Sequence, residues 1–180
     1  AAEANKNIAV VQQIWDALLK GGATRNALLI NLGGGMVTDL GGFAAATYMR
    51  GIRYVNVPTT LLAMVDASSG GKTGFDYRGV KNLVGCFAQP EATLVYRPFL
   101  DTLPVDEWLS GYAEMLKHGL LDSVSHWSKL LELDVNDPKC SISSELLAAN
   151  MAVKQRIVAT DPKEKGERKL LNFGHTIGHA

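Results

Sequence analysis

A chain of 180 residues is long enough to bury a real core as one domain, or as one domain and part of a second. Lys and Arg total 18 and Asp and Glu also total 18, so no net field draws the chain to nucleic acid or to an anionic membrane. No apolar run approaches the ~18 residues needed to span a bilayer. The only cysteines, Cys86 and Cys140, form no C-x-x-C pair, which argues against a redox motif, a zinc knuckle or a disulfide scaffold. A reduced, cytoplasmic setting fits best. The chain starts without a methionine in a polar, helix-like pattern, so the natural amino terminus is expected to be missing.

In chain order, Ile8, Val11, Ile14, Trp15, Leu18 and Leu19 recur at helical spacing over residues 7–19, and Gly21-Gly22 ends that helix. Residues 27–32 form a short continuous apolar run, as expected of a strand buried on both faces. Gly33-Gly34-Gly35 follows, then a helix of small residues over 37–49. Residues 53–57 read as the next strand, stopped by Pro58. Strand, glycine loop, helix and strand in that order make a βαβ unit. Residues 93–96 are expected to add one more strand. After Pro104 the pattern becomes helical, with amphipathic stretches at 107–121, 125–133 and 143–159 and a loop over 134–141. The expected architecture is an α/β, Rossmann-like nucleotide-binding portion over 1–104 followed by an all-α portion over 105–180. The charged run 161–167 reads as a solvated loop.

Three constellations could carry chemistry. In Gly33-Gly34-Gly35-Met36-Val37-Thr38-Asp39, glycines leave a strand and enter a helix, where backbone can approach a pyrophosphate and the helix N-terminus supplies partial positive charge. The full G-x-G-x-x-G pattern fails at Thr38. A tight turn with close helix packing at Gly41-Gly42 explains the same glycines equally well. In Ser68-Ser69-Gly70-Gly71-Lys72-Thr73, a P-loop would need glycine where Asp66 stands. Asp66, Lys72, Lys81 and Asn82 can instead converge on a phosphorylated, hydroxylated acid, although a solvated basic loop is the simpler reading. Glu114, Lys117 and His118 share one helix face at i, i+3 and i+4, and His175 and His179 are four apart in Asn172-Phe173-Gly174-His175-Thr176-Ile177-Gly178-His179. Such histidines serve either a metal ion or the capping of a helix, and Glu114 is the best candidate for a further ligand.

Five segments in one order resemble the dehydroquinate synthase-like family of sugar-phosphate cyclases. They are residues 33–39, residues 57–66 continuing through Lys72-Thr73-Gly74, Lys81-Asn82-Leu83-Val84-Gly85, residues 111–119 and residues 172–180. The resemblance spans the chain and implies the middle portion of a longer enzyme. It implies conversion of 3-deoxy-D-arabino-heptulosonate 7-phosphate to 3-dehydroquinate and phosphate, in the shikimate pathway. NAD would be reduced and reoxidised within each turnover, and Zn2+ or Co2+ would act as Lewis acid. Position by position, Glu114 and His175 resemble metal ligands, with a third ligand past Ala180. Asp66, Lys72, Lys81, Asn82, Lys117, Lys154, Arg168, Asn172 and His179 resemble substrate-contacting or catalytic positions. Gly34, Gly35, Asp39, Thr59 and Thr60, with Glu3 and Lys6, resemble NAD-contacting ones, to which Lys72 and Lys81 also lie close. The small-molecule substrate is an anionic sugar phosphate, with no nucleic-acid or membrane partner and a homodimer as the full-length assembly. Other expectations stay open: another sugar-phosphate cyclase, a metal-dependent polyol dehydrogenase, or a noncatalytic nucleotide-binding fragment. Strands and helices absent at either end would leave apolar surface exposed, and the 180 residues alone are expected to be inactive.

Overall fold

The computed structural model describes residues 3–134, 136–137 and 142–174. Helix α1, Ile8–Lys20, starts where the Asn7 side chain accepts hydrogen bonds from the amides of Ala9 (3.0 Å) and Val10 (3.2 Å). This replaces partners that the first turn cannot supply itself. Strand β1, Leu28–Gly33, lies parallel to β2, Arg53–Pro58, with Leu28 opposite Arg53 and Gly33 opposite Pro58. Helix α2, Gly35–Thr47, makes the crossover between them. One face of α2 is Gly41, Gly42, Ala44 and Ala45, all buried. Small residues there let the helix press against neighbouring side chains: a methyl at Gly42 would come within 2.6 Å of Thr73 Cγ2. Val11, Leu40, Ala44 and Phe75 form the core beneath, with Ile8, Ile14 and Trp15 packed against it.

Two expectations need correction. The first strand is not buried on both faces. Leu28, Ile30 and Leu32 alternate outward, and Ile30 and Leu32 are 61% and 60% exposed, because α2 covers one face of β1 and no described element covers the other. The strand expected at 93–96 is confined to β5, Ala92–Thr93, which pairs parallel to β2 through Val55 and Asn56 only. Beyond Asn56 the partner strand runs into Pro58, which has no N–H to offer, and the chain turns into a 3₁₀ segment at Arg97–Thr102.

The glycine-rich stretch after Asp66, read from sequence as a loop, contains an antiparallel hairpin, β3 (Lys72–Tyr77) and β4 (Val80–Phe87). Arg78 and Gly79 form its two-residue turn, with φ of 51° and 80°. Both central residues at positive φ is the turn geometry that matches the twist of a hairpin.

Among the described residues, the helical portion contains α3 (Val105–Asp122), α4 (Val124–Leu131) and α5 (Ser144–Thr160). Trp108 stacks on Tyr112, ring centroids 5.1 Å apart, and the Tyr112 hydroxyl donates to the Leu130 carbonyl at 2.7 Å. Leu61, Met64 and Val65, which follow β2, are buried in this same cluster with Trp108, Met115, Leu130 and Leu147. Gly111 makes that approach possible: a methyl there would fall 2.5 Å from the Leu62 amide nitrogen. The segment carrying Asp66 is thus gripped by the helical core. No helix among the described residues is long and apolar enough to cross a membrane.

Candidate active site

A cavity of about 550 Å3 opens between the β3–β4 hairpin, the turn after β2, and helices α3 and α5. Asp39, Asp66, Lys72, Asn82, Lys117, Lys154, Arg168 and Asn172 all line it. Eight of the positions singled out from sequence therefore meet in one space. Lys81 is exposed on β4, Glu3 is exposed on a 3₁₀ turn, and neither belongs to the lining. His175 and His179 lie outside the described residues.

Asp66 sits on a single π-helical turn, Ala63–Ala67, which Ser68 closes by donating both its amide (3.0 Å) and its hydroxyl (2.6 Å) to the Ala63 carbonyl. Wider turns of this kind recur at functional sites because they redirect one side chain out of the helical repeat. From α5, the Lys154 ammonium donates to Asp66 Oδ1 at 2.6 Å and to the Asp66 carbonyl at 2.5 Å. Burial pushes the Asp66 carboxyl up, but Lys154 beside it and Lys117 nearby outweigh burial, and the net shift is downward. Asp66 is held as a carboxylate.

Helix α3 presents Glu114, Lys117 and His118 on the face that meets this turn. A surface Glu–Lys or Glu–His pair is not what the structure contains: Lys117 is 7% exposed and His118 is fully buried. Lys117 forms an ion pair with Glu114. One ligand-type atom each from Asp66, Glu114 and His118 lies within 4.8 Å of the others. Burial lowers the His118 pKa more than its polar neighbours raise it, so the ring is neutral. Its Nδ1 lies 2.8 Å from Asn150 Oδ1 on α5.

The charged run 161–167 does more than a solvated loop would. Asp161 accepts from the amides of Lys165 (2.9 Å) and Gly166 (2.6 Å), which folds the run back on itself. Glu164 then forms an ion pair with Lys72 and accepts from Asn172 Nδ2 at 2.6 Å. Burial raises the Glu164 pKa, yet the bonds from Lys72 and Asn172 prevail and lower it. Arg168 is fully buried; its guanidinium donates to the carbonyls of Pro162 (2.6 Å) and Gly70 (2.9 Å) and lies 5.8 Å from the Phe87 ring centroid. Gly70 has φ of 101°, and a methyl there would strike Arg168 Nη2 at 2.6 Å. Arg168 thereby ties the loop after Asp66 to the segment carrying Asn172.

On the other wall, Lys6 is buried and donates to Asp39 Oδ2 (2.7 Å) and Asn82 Oδ1 (2.6 Å), linking α2 to the hairpin. Burial of Asp39 outweighs Lys6 and raises its pKa. The glycine loop stands at the start of α2, outside the cavity lining. Gly34 is the N-cap, and a methyl on it would come within 3.1 Å of Thr60 Cγ2; the Thr59 amide donates to the Gly33 carbonyl at 2.9 Å. Gly34 and Gly35 thus let Thr60 and Ala67 pack directly against the loop backbone at the start of α2, where a methyl on Gly35 would come within 3.0 Å of Ala67 Cβ.

The 3-dehydroquinate synthase N-terminal family matches residues 1–110, and the 3-dehydroquinate synthase C-terminal family matches residues 111–180. The chain belongs to the 3-dehydroquinate synthase family. A curated 3-dehydroquinate synthase from Parabacteroides distasonis is 53% identical over 100% of this chain and 51% of its own length. One from Pyrococcus furiosus is 49% identical over 99% of this chain and 52% of its own. The chain thus spans about half the length of the curated relatives it matches. Among solved structures, 2-epi-5-epi-valiolone synthase from Streptomyces hygroscopicus subsp. jinggangensis 5008, with NAD+ and Zn2+ bound, is similar with a TM-score of 0.91 at 31% identity. That match covers 97% of this chain and 50% of the other. A 2-deoxy-scyllo-inosose synthase complexed with carbaglucose-6-phosphate, NAD+ and Co2+ gives a TM-score of 0.86 at 27% identity, over 99% of this chain and 49% of that one. The dehydroquinate synthase-like architecture expected from sequence, a parallel α/β portion followed by helices, is the one observed.

Sequence reading missed Glu164 and Asn150. Glu164 was hidden in a run of charges, which carries no periodic signal. Asn150 was legible in principle, because it is a polar residue on the helix face that otherwise buries Leu147, Val153 and Ile157.

Proposed function

We propose that this chain contributes the cavity and part of the cofactor sites of a 3-dehydroquinate synthase, which converts 3-deoxy-D-arabino-heptulosonate 7-phosphate to 3-dehydroquinate and phosphate. The observation that carries this reading is the convergence of Lys72, Lys117, Lys154 and Arg168 on one cavity beside the Asp66, Glu114 and His118 cluster. Lys72, Lys117 and Lys154 each pair with a carboxylate of the chain and Arg168 with two carbonyls. A substrate bearing both a carboxylate and a phosphate can add to or exchange with those partners, which an uncharged polyol cannot do.

Two carboxylates and one imidazole within a few ångströms are a donor set that fits a borderline divalent cation such as Zn2+ or Co2+. In this reading Glu114 and His175 hold the metal, and the chain divides into a nucleotide-binding part over 1–104 and a metal- and substrate-binding part over 105–180. Gly34, Gly35, Asp39, Thr59 and Thr60, with Glu3 and Lys6, face NAD; a glycine loop that enters the N-terminus of α2 supports this reading, because backbone amides and the helix dipole there suit a pyrophosphate. When bound, the metal supplies Lewis acidity at the reacting alcohol, and NAD supplies hydride uptake and return, which acidifies the neighbouring C–H. The chain's own residues do the rest. Lys72, Asn172 and Arg168, with Lys81, Asn82 and His179, bind and orient the anionic groups. Lys154 keeps Asp66 ionised so that it accepts a hydrogen bond from a substrate hydroxyl. Lys117 sets the position of Glu114. The full-length enzyme is expected to work as a homodimer.

The test is turnover by the full-length protein, with NAD+ and Zn2+ or Co2+ supplied, followed as release of inorganic phosphate. Turnover of the heptulosonate phosphate is the expected result. Turnover only of a sugar phosphate lacking the carboxylate would move the assignment to another cyclase of the same architecture.

A further inference from the structure

The β3–β4 hairpin is irregular at one place, and Asn82 stands there. Phe75 pairs with Val84 and Tyr77 with Val80, so Asp76 alone faces Lys81, Asn82 and Leu83 on the other strand. A surplus of residues on one strand breaks the ladder and re-aims a side chain. Asn82, in the middle of the surplus, has φ of 52°, in the left-handed region that asparagine tolerates better than most residues. Its backbone amide is not lost to the irregularity: it donates to Asp76 Oδ1 at 2.7 Å.

Asp76 is itself tied down. Its amide donates to the Lys6 carbonyl at 2.8 Å, and the Lys6 ammonium donates to Asn82 Oδ1 at 2.6 Å. Lys6, Asp76 and Asn82 thus close a ring of three hydrogen bonds, anchored by the buried Lys6 and its ion pair with Asp39. The ring determines which way the Asn82 side-chain amide is turned. An ammonium has no lone pair to offer, so the oxygen must face Lys6, and the NH2 is left for a ligand. Asn82 lines the cavity together with Lys72, Arg168 and Asn172. A phosphate or carboxylate there needs donors, and the opposite orientation would set an oxygen against it.

We propose that Asp76 is a positioning residue: by accepting from the Asn82 amide it holds the left-handed backbone that keeps the Asn82 NH2 directed at the anionic substrate. This rests on the reading of the cavity as the site of a phosphorylated acid. It adds a residue outside the cavity lining that neither sequence pattern nor family resemblance singled out. A carboxylate suits the task, because it takes the place of a ladder carbonyl without continuing the strand, and a charged acceptor makes the stronger bond.

The experiment is steady-state kinetics of the full-length enzyme on the heptulosonate phosphate, with NAD+ and Zn2+ supplied. Asp76→Ala, checked for intact folding by circular dichroism, should raise KM for that substrate about 10-fold, as for one lost hydrogen bond to a charged group, and leave NAD+ affinity within about twofold. Asp76→Asn, which keeps an oxygen to accept from the Asn82 amide, should restore KM. In an Asn82→Ala background, Asp76→Ala should add nothing, because its effect passes through Asn82. A KM unmoved by Asp76→Ala overturns the proposal; if Asn82→Ala still raises KM, the reading of the cavity stands without Asp76. An additive double variant also overturns it. Should Asp76→Ala not fold, exchange of the Asn82 amide in the wild-type protein, followed by NMR, decides: it should be slowed, and free exchange overturns the proposal. Absence of turnover by the wild-type enzyme would remove the reading and the proposal together.

Discussion

Replacing Gly41 by alanine probes the close packing of α2 on β1, which connects through Asn31 and Asn56 to the turn that carries Asp66. A methyl on Gly41 would lie 2.5 Å from Asn31 Cγ and 2.9 Å from Asn31 Nδ2. Asn31 cannot step aside cheaply. It is buried, its Nδ2 donates to Asn56 Oδ1 at 3.0 Å, and Asn56 Nδ2 donates to the carbonyl of Ser68, the residue that closes the Asp66 turn, at 3.1 Å. Overpacking of this kind costs about 1–3 kcal/mol. A buried amide torn from its partner adds about 1–3 kcal/mol. Alanine returns about 1 kcal/mol over glycine inside a helix. The net expectation is a loss of about 3 kcal/mol, read as a lower urea midpoint at unchanged slope. Because the clash is with one side chain, Gly41→Ala combined with Asn31→Ala should cost less than the sum of the two, with a coupling of about 1–3 kcal/mol. A Gly41→Ala protein within about 0.5 kcal/mol of wild type would refute the close packing of α2 on β1.

Lys72→Ala should weaken the phosphorylated substrate about 10- to 150-fold, the equivalent of one charge-assisted hydrogen bond of about 1.5–3 kcal/mol, while leaving NAD+ affinity unchanged. Equilibrium titration of both ligands checks it, and a collapse of NAD+ binding alone would place the hairpin against the dinucleotide instead. Arg168→Lys keeps the charge but cannot span the carbonyls of Gly70 and Pro162 with one planar fork, so stability should fall by about 1.5–3 kcal/mol for the bond lost. Thermal unfolding measures this, and an unchanged midpoint would mean the bridge is not formed. The Asp161 carboxyl is held below its ordinary range by the amides of Lys165 and Gly166. A depressed folded pKa contributes stability that is present above the unfolded value and lost as pH falls through the folded one. Acid titration of wild type against Asp161→Asn should therefore show the variant losing less stability over that interval, and parallel curves would show that Asp161 does not cap the loop.

Much of the scaffold was legible because its signals are local. The helices over 107–121 and 143–159 appear at 105–122 and 144–160, since the spacing of apolar residues is the property that buries one face of a helix. The strand–glycine–helix–strand order did likewise for the βαβ unit. The hairpin was not legible. Glycines at 70, 71, 74, 79 and 85 imitate a loop, and Gly74 pairs with Gly85 across the ladder, where their packing is visible only once the strands are side by side. The short β5 failed for the opposite reason: its residues suit a strand, and only the proline on its neighbour limits the pairing.

Sequence by itself determined the layer order, the helical second half and the types of side chain available for chemistry, because hydrophobic period, glycine and proline act within a few residues of themselves. Tertiary structure alone decided which of those side chains share a cavity and in what state. Lys154 meets Asp66 across 88 residues, and Arg168 meets Gly70 across 98. Those contacts set which carboxylate stays ionised, and burial on α3 lowers the pKa of His118. Neither has a sequence signature, because a pKa depends on the neighbours that folding supplies and on the water that it removes.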